Sequence, residues 1–209
     1  PNRSCVDFDL DTDQELFADS VRRFAREQLA PGALARGHHP DYPWEIARQI
    51  ADQGLLGLTM PEAGGGQGAG LVDAVIAIQE VALSCPKSAD IVQAGNFGAI
   101  RTFAEYASPD LQARFLPDLL AARTLIGLGM SEPDAGPAVT HLATTARPDG
   151  ADYVIDGTKV FSTHSADATV FLIYVRYGPG TDGIGSVVVE RGTPGFSQRP
   201  PWQFMSGEH

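Results

Sequence analysis

Residues 127–139, GLGMSEPDAGPAV, hold the first arrangement with chemical potential. An apolar run from Leu125 to Met130 predicts a buried strand, and it stops at Ser131-Glu132-Pro133, with Gly136-Pro137 close behind. A strand that ends early in a rigid polar turn leaves backbone N–H and C=O groups without ladder partners, and such groups must bind something. Two outcomes stand open: a plain corner, or an edge that holds a ligand through its backbone. A second candidate is PEAGGGQGAG, residues 61–70. A phosphate loop needs GxxxxGK[ST], and this stretch has no lysine; a dinucleotide fingerprint needs a preceding strand in a βαβ unit, and the flanks read as helical. The glycines therefore predict a turn between helices that uses positive φ. The two cysteines, Cys5 and Cys85, form no CxxC pair and predict buried, reduced thiols. None of His38, His39, His141, His164 and His209 has metal-ligand spacing to a second His, Cys or carboxylate, so no metal is expected.

Composition narrows the class. The chain has 209 residues, 43% hydrophobic and 20% charged, as in ordinary globular proteins, and is long enough for one large domain or two small ones. A formal net charge of −11 argues against nucleic-acid binding, which needs a basic surface to displace counterions. It also means that an anionic ligand must be held by local donors against a repelling field. No apolar run approaches the roughly 20 residues of a membrane span, and the first residues lack the basic-then-apolar pattern of a signal peptide. The expectation is a cytoplasmic protein with no nucleic-acid partner.

These residues need elements to position them. Residues 11–122 read as helices. Thr12-Asp13-Gln14-Glu15 predicts a capping box, and Phe17, Val21, Phe24 and Gln28 follow on one helical face until Pro31-Gly32 closes it. Further helices are predicted over 43–53, 71–83, 88–107 and 109–122; the one over 71–83, LVDAVIAIQEVAL, is apolar almost all round and should be buried. From Thr124 the texture changes to short β-branched and aromatic runs, TLIGLGM, YVIDG, TVFLIYVRY and IGSVVVE, separated by Gly, Pro and Asp. The fold class is α+β: an N-terminal α-helical domain, residues 1–122, followed by an antiparallel β-barrel or sheet domain, residues 123–209.

Four stretches share an order with a known family: QGLLGLTMPEAGGGQGAGLVDAVIAIQEVA (53–82), FLPDLLAARTLIGLGMSEPDAG (115–136), YVIDGTKVFSTHSADATVFLIYVR (153–176) and GIGSVVVERGTPGF (183–196). Together they resemble the acyl-CoA dehydrogenase family over nearly the whole chain. The resemblance implies an FAD-dependent oxidoreductase of fatty acid metabolism that dehydrogenates an acyl thioester, on CoA or a carrier protein, between its α and β carbons. It implies that the Ser131 turn and the Thr163 turn, the latter read as part of a hairpin over 153–176, meet at one edge and hold the flavin. Leu128 and the Met130 backbone would line the ring, Ser131 would stand in for the family's Thr at the pyrimidine edge, and Thr163 would bond N5 and O4. Phe161 would replace the usual Trp as the plate against the ring. Gln93, Ala94 and Phe97 would border the acyl chain. Glu132 is read as structural.

The sequence also departs from the family pattern. Pro137 and Ala138 stand where Ser-Asp is usual, which removes a hydroxyl and a backbone donor. His164 replaces Asn and reads as a solvated turn residue. The chain stops at PWQFMSGEH, where the family continues into a helical bundle that carries the general-base glutamate. No catalytic residue is therefore expected within this chain. A homo-oligomer, or a hetero-oligomer with a chain carrying that bundle, is expected. Two other functions remain: a flavin-dependent monooxygenase of the same fold, or a non-catalytic binding or assembly subunit.

Overall fold

The computed structural model describes residues 9–136, 138–204 and 207–208. Cys5, Pro137 and His209, and part of the terminal FMSGEH stretch, lie outside the described residues. The helical half opens with α1 (Thr12–Phe24), which runs into a π-helical turn, Ala25–Leu29. Its capping box sits one residue earlier than the sequence predicts. Asp11 Oδ1 accepts from Gln14 N at 2.9 Å, and Gln14 Oε1 accepts from Asp11 N at 3.1 Å. Asp11-x-x-Gln14 and Thr12-x-x-Glu15 both satisfy the motif, and the carboxylate wins the cap.

Next come α2 (Ala33–Gly37), α3 (Trp44–Asp52), α4 (Leu71–Ala82), α5 (Pro86–Ala94), α6 (Ala99–Tyr106) and α7 (Pro109–Leu120). The single helix predicted over 88–107 is two, α5 and α6. Gly98 adopts a φ of 67°, which ends helical geometry. The buried Asn96 side chain takes the carbonyls of Leu55 and Val92, both at 2.8 Å. Nor is α4 buried all round: Ala74, Ala77 and Val81 enter the core, while Leu71, Val72 and Val75 are 58%, 50% and 52% exposed. Its burial comes from α1 and α5 on one side only. Glu80 on α4 is buried and receives Arg22 Nε and Nη2 of α1, both at 2.8 Å.

The glycine loop is a packing device. The amides of Gly64 and Gly66 donate to Pro61 O, Gly65 to Glu62 O, Gln67 to Gly57 O, Gly68 to Met60 O and Ala69 to Leu58 O. Gly70 N donates to Asp73 Oδ2. Every amide from 64 to 70 is thus committed inside the protein, and none is left to cradle a phosphate. A Cβ on Gly66 would lie 2.3 Å from Met60 O. Gly66→Ala should therefore lower stability by about 1–3 kcal/mol, read as a drop in the urea midpoint. An unchanged midpoint would contradict the packing role.

The other half contains β1 (Ile126–Gly129), β2 (Thr145–Asp149), β3 (Asp152–Asp156), β4 (Val170–Arg176) and β5 (Ile184–Glu190), with a short pair β6 (Gln203–Phe204) and β7 (Gly207–Glu208) beyond. The antiparallel barrel or sheet expected from the sequence is instead a mixed sheet, not closed into a barrel. β4 lies antiparallel to β5 and parallel to β1, with Ile126 opposite Val170 and Gly129 opposite Ile173. At its far end it meets β2, also parallel, through Thr145 and Arg176. The predicted 153–176 hairpin does not form: β3 pairs with β2, and residues 157–169 leave the sheet between β3 and β4. The buried β4 sequence VFLIYVR has a near-continuous apolar run of the kind that parallel pairing favours, but strand texture carries no direction. One core cluster joins Met60, Ile100, Phe103, Leu116 and Leu119 of the helical half to Val170 of β4. A second lies on the sheet around Phe171, Ile173 and Val175. Among the described residues, no helix is long and apolar enough to cross a membrane, and no cluster of His, Cys and carboxylates could hold a metal.

Candidate functional site

β1 alternates, with Gly127 and Gly129 buried and Leu128 half-buried, as is Met130 just beyond. The glycines are needed there. A Cβ on Gly129 would come within 2.6 Å of Ile173 Cδ1 and 3.3 Å of Lys159 Cγ. Their absence of side chain lets the stem of Lys159 lie across the end of β1. The strand then turns at Ser131-Glu132-Pro133, and the 159–163 segment lies alongside. Val160 N donates to Ser131 O at 2.9 Å, and Lys159 Nζ donates to Met130 O at 3.1 Å and to Glu132 Oε1 at 2.7 Å. The Ser131 turn is therefore joined to the chain at residues 159 and 160.

Glu132 lies at the centre of this junction, 6% exposed. Besides Lys159, it accepts from Ala143 N, from Thr144 N at 2.9 Å and from the Thr144 hydroxyl. Burial alone would raise its carboxyl, but these hydrogen bonds outweigh burial and hold it down at about 2. A carboxylate this acidic and this fully bonded is a poor proton acceptor. It is structural.

Phe161 follows Lys159 by two residues and stands 68% exposed, with a φ of 55°. A positive φ is uncommon for a bulky residue and marks a backbone constrained by its surroundings. Its ring meets Trp202 edge-on at 5.1 Å. Thr163 is exposed and Ser131 half-buried. Near this junction in the chain stand an aromatic, two hydroxyls and the half-buried Leu128 and Met130, residue types that suit a planar heteroaromatic ring with a polar rim.

The remaining predicted residues fall elsewhere. His164 is not a solvated turn residue: at a φ of 57° it is half-buried and meets the buried Tyr42 of the helical half edge-on at 5.3 Å. The buried Tyr42 hydroxyl is pushed well above its ordinary value, by burial and then by the charge of Asp167. The turn after His164 is held from outside, because Arg191 donates to the carbonyls of Ser165, Ala166 and Ala168 and Gln198 donates to Ser165. Arg176 likewise binds the carbonyls of Thr140, Leu142 and Gly180. Gln93 is exposed at the end of α5, Ala94 is half-buried, and Phe97 packs against the helical core. None of these three takes part in the bonds that join the two turns. Sequence reading missed Trp202, Tyr42 and the role of Lys159. Lys159 alone left a signal, as a lone cation between an apolar strand and an aromatic turn.

Comparison with known proteins places these features. The family model described as acyl-CoA dehydrogenase, N-terminal domain, matches residues 11–123, and that described as acyl-CoA dehydrogenase, middle domain, matches residues 127–207. The 3-sulfinopropanoyl-CoA desulfinase of Variovorax paradoxus is 34% identical over 88% of this chain and 46% of its own length. The acryloyl-CoA reductase (NADH) of Anaerotignum propionicum is 33% identical over 92% of this chain and 50% of its own length. A crystal structure of a glutaryl-CoA dehydrogenase from Mycobacterium smegmatis in complex with FADH2 superposes with a TM-score of 0.84 at 25% identity, covering 95% of this chain and 51% of that one. The chain spans about half the length of the relatives it matches.

Proposed function

The chain belongs to the acyl-CoA dehydrogenase family, and from that premise we propose that it provides the flavin-holding part of an FAD-dependent enzyme that dehydrogenates acyl thioesters. The observation that carries the reading is the junction of the Ser131 turn with residues 159 and 160, next in the chain to the exposed Phe161. Phe161 covers one face of the ring, the Ser131 and Thr163 hydroxyls bond its polar rim, and Leu128 and Met130 line it. When bound, FAD supplies the acceptor for the hydride of the thioester β-carbon. Ser131 and Thr163 orient that acceptor and favour the charge it gains. Gln93, Ala94 and Phe97 border the acyl chain, carried on CoA or on a carrier protein. Glu132, buried and saturated, does not take the α-proton; on this reading that group comes from polypeptide outside this chain. The same reading includes a division into domains near residues 122 and 123, a role in fatty acid metabolism in the cytoplasm, and an oligomer that covers the exposed Leu71, Val72 and Val75.

The deciding experiment is a visible absorption spectrum of the gently purified protein, with its intact mass, before and after adding FAD. A flavin spectrum that stays with the protein through gel filtration is expected. A folded protein that retains no flavin would refute the reading. Phe161→Ala should weaken FAD binding roughly fivefold, the loss of about 1 kcal/mol of ring contact. Unchanged affinity would remove Phe161 from the site.

A further inference from the structure

We propose that Lys159 is a positioning residue, a buried tether that fixes the spacing between the Ser131 turn and the Phe161–Thr163 segment; the inference rests on the flavin reading above. Lys159 has a 9% exposed side chain, yet it reaches two acceptors on the opposite segment, Met130 O at 3.1 Å and Glu132 Oε1 at 2.7 Å. Among the described residues, one other backbone bond, Val160 N to Ser131 O, joins these segments. A single backbone bond acts as a hinge, whereas a second and third anchor on the adjacent residue remove that freedom.

Each anchor has its own support. Glu132 cannot swing to follow Lys159, because Ala143 N and the amide and hydroxyl of Thr144 hold it from the other side. The stem of Lys159 is confined by the missing side chain at Gly129, where a Cβ would lie 3.3 Å from Cγ. The chain of contacts therefore runs from the 143–144 segment through Glu132 and Lys159 to the backbone beside Phe161, whose positive φ is set two residues after the tether. Binding a rigid planar ring between two turns demands that their separation be fixed in advance. An isolated buried ion pair adds little to stability, so specifying geometry is the better account of this one.

The test compares FAD affinity and spectrum in three variants of the protein, with thermal unfolding measured on the same samples. Lys159→Met keeps the length of the side chain and removes the tether. It should weaken FAD binding at least tenfold and shift the bound flavin's absorption maxima. Thr144→Val removes the Thr144 hydroxyl bond to Glu132 but leaves the tether, so it should lower the unfolding midpoint with FAD affinity within twofold of wild type. Should Lys159→Met not fold, Glu132→Gln with Lys159→Met takes its place, because it buries no lone charge, and the same tenfold loss is expected of it. The inference is overturned if the folded tether-free variant binds FAD with wild-type affinity and spectrum, or if Thr144→Val weakens binding as much as it does. A folded wild-type protein that binds no FAD overturns the flavin reading itself and this inference with it.

Discussion

Replacing Asn96 by Leu should cost the protein about 3–5 kcal/mol, enough to unfold a large fraction of a protein of ordinary stability. Asn96 is fully buried and makes three hydrogen bonds to backbone: its Nδ2 donates to Leu55 O and Val92 O, and its Oδ1 accepts from Leu58 N at 2.6 Å. Leu fills similar volume but strands those groups away from water, at about 1–3 kcal/mol for each one left unpaired. The damage also spreads. Residues 55–58 lead into the glycine loop, whose amides depend on the carbonyls of Gly57, Leu58 and Met60. Urea unfolding at neutral pH measures the effect. A loss below about 1 kcal/mol would mean that the loop finds other partners, and the stitching role would be wrong. Asn96→Asp makes a useful second variant, because it keeps the acceptor for Leu58 N and loses both donors.

Glu132→Ala should cost about 3–5 kcal/mol at neutral pH, since it leaves the Lys159 ammonium buried and the Ala143 and Thr144 donors unpaired. The effect carries a pH signature. In the folded protein the carboxyl sits near 2, below its ordinary value of 4.5. A depressed folded value means that the unfolded chain binds the proton first as pH falls. The contribution is thus fully present above the ordinary value and drains away as pH drops from there towards 2. The shift corresponds to about 3 kcal/mol in all. The stability gap between wild type and Glu132→Ala should therefore narrow by about 2 kcal/mol between pH 6 and pH 3. A gap that stays constant over that interval would show that Glu132 titrates normally and that its bonds are weaker than the geometry implies.

Patterns set by local chemistry were legible in the sequence, and those set by distant partners were not. Phe17, Val21 and Phe24 announced α1 because helical spacing is local, and Ser108-Pro109 announced α7 for the same reason. The break between α5 and α6 rests partly on a local signal, the positive φ of Gly98, and partly on one that was not legible, Asn96 reaching back to Leu55 and Leu58 in an earlier loop. Likewise α4 looked buried all round from composition, while its burial depends on where α1 and α5 stop covering it. Strand texture located β1, β4 and β5 but not their directions, which follow from how residues 130–169 route back to the sheet. That the Ser131 turn is bonded to residues 159 and 160 was foreshadowed only through resemblance. The structural role of Glu132 was read from the sequence, but its pairing with Lys159 was not, because a lysine in a turn usually means solvent. His164 was misjudged for the same reason, since nothing nearby in sequence foretold Tyr42.

The parallel pairing of β1 with β4 has a consequence for how the molecule comes into being. Gly129 meets Ile173 across a long connection, and both Glu132 and Lys159 lie on that connection. Contacts between residues far apart in sequence form late, because the entropy of closing the loop must be met before they stabilise anything. The helices, with their neighbouring contacts, have no such delay. Hydrogen exchange during refolding should protect the amides of α4 and α5 before those of β1 and of Val160. The edge that would receive the cofactor is then among the last parts of the chain to mature, so FAD added to a refolding reaction meets a formed helical half before it meets its own site.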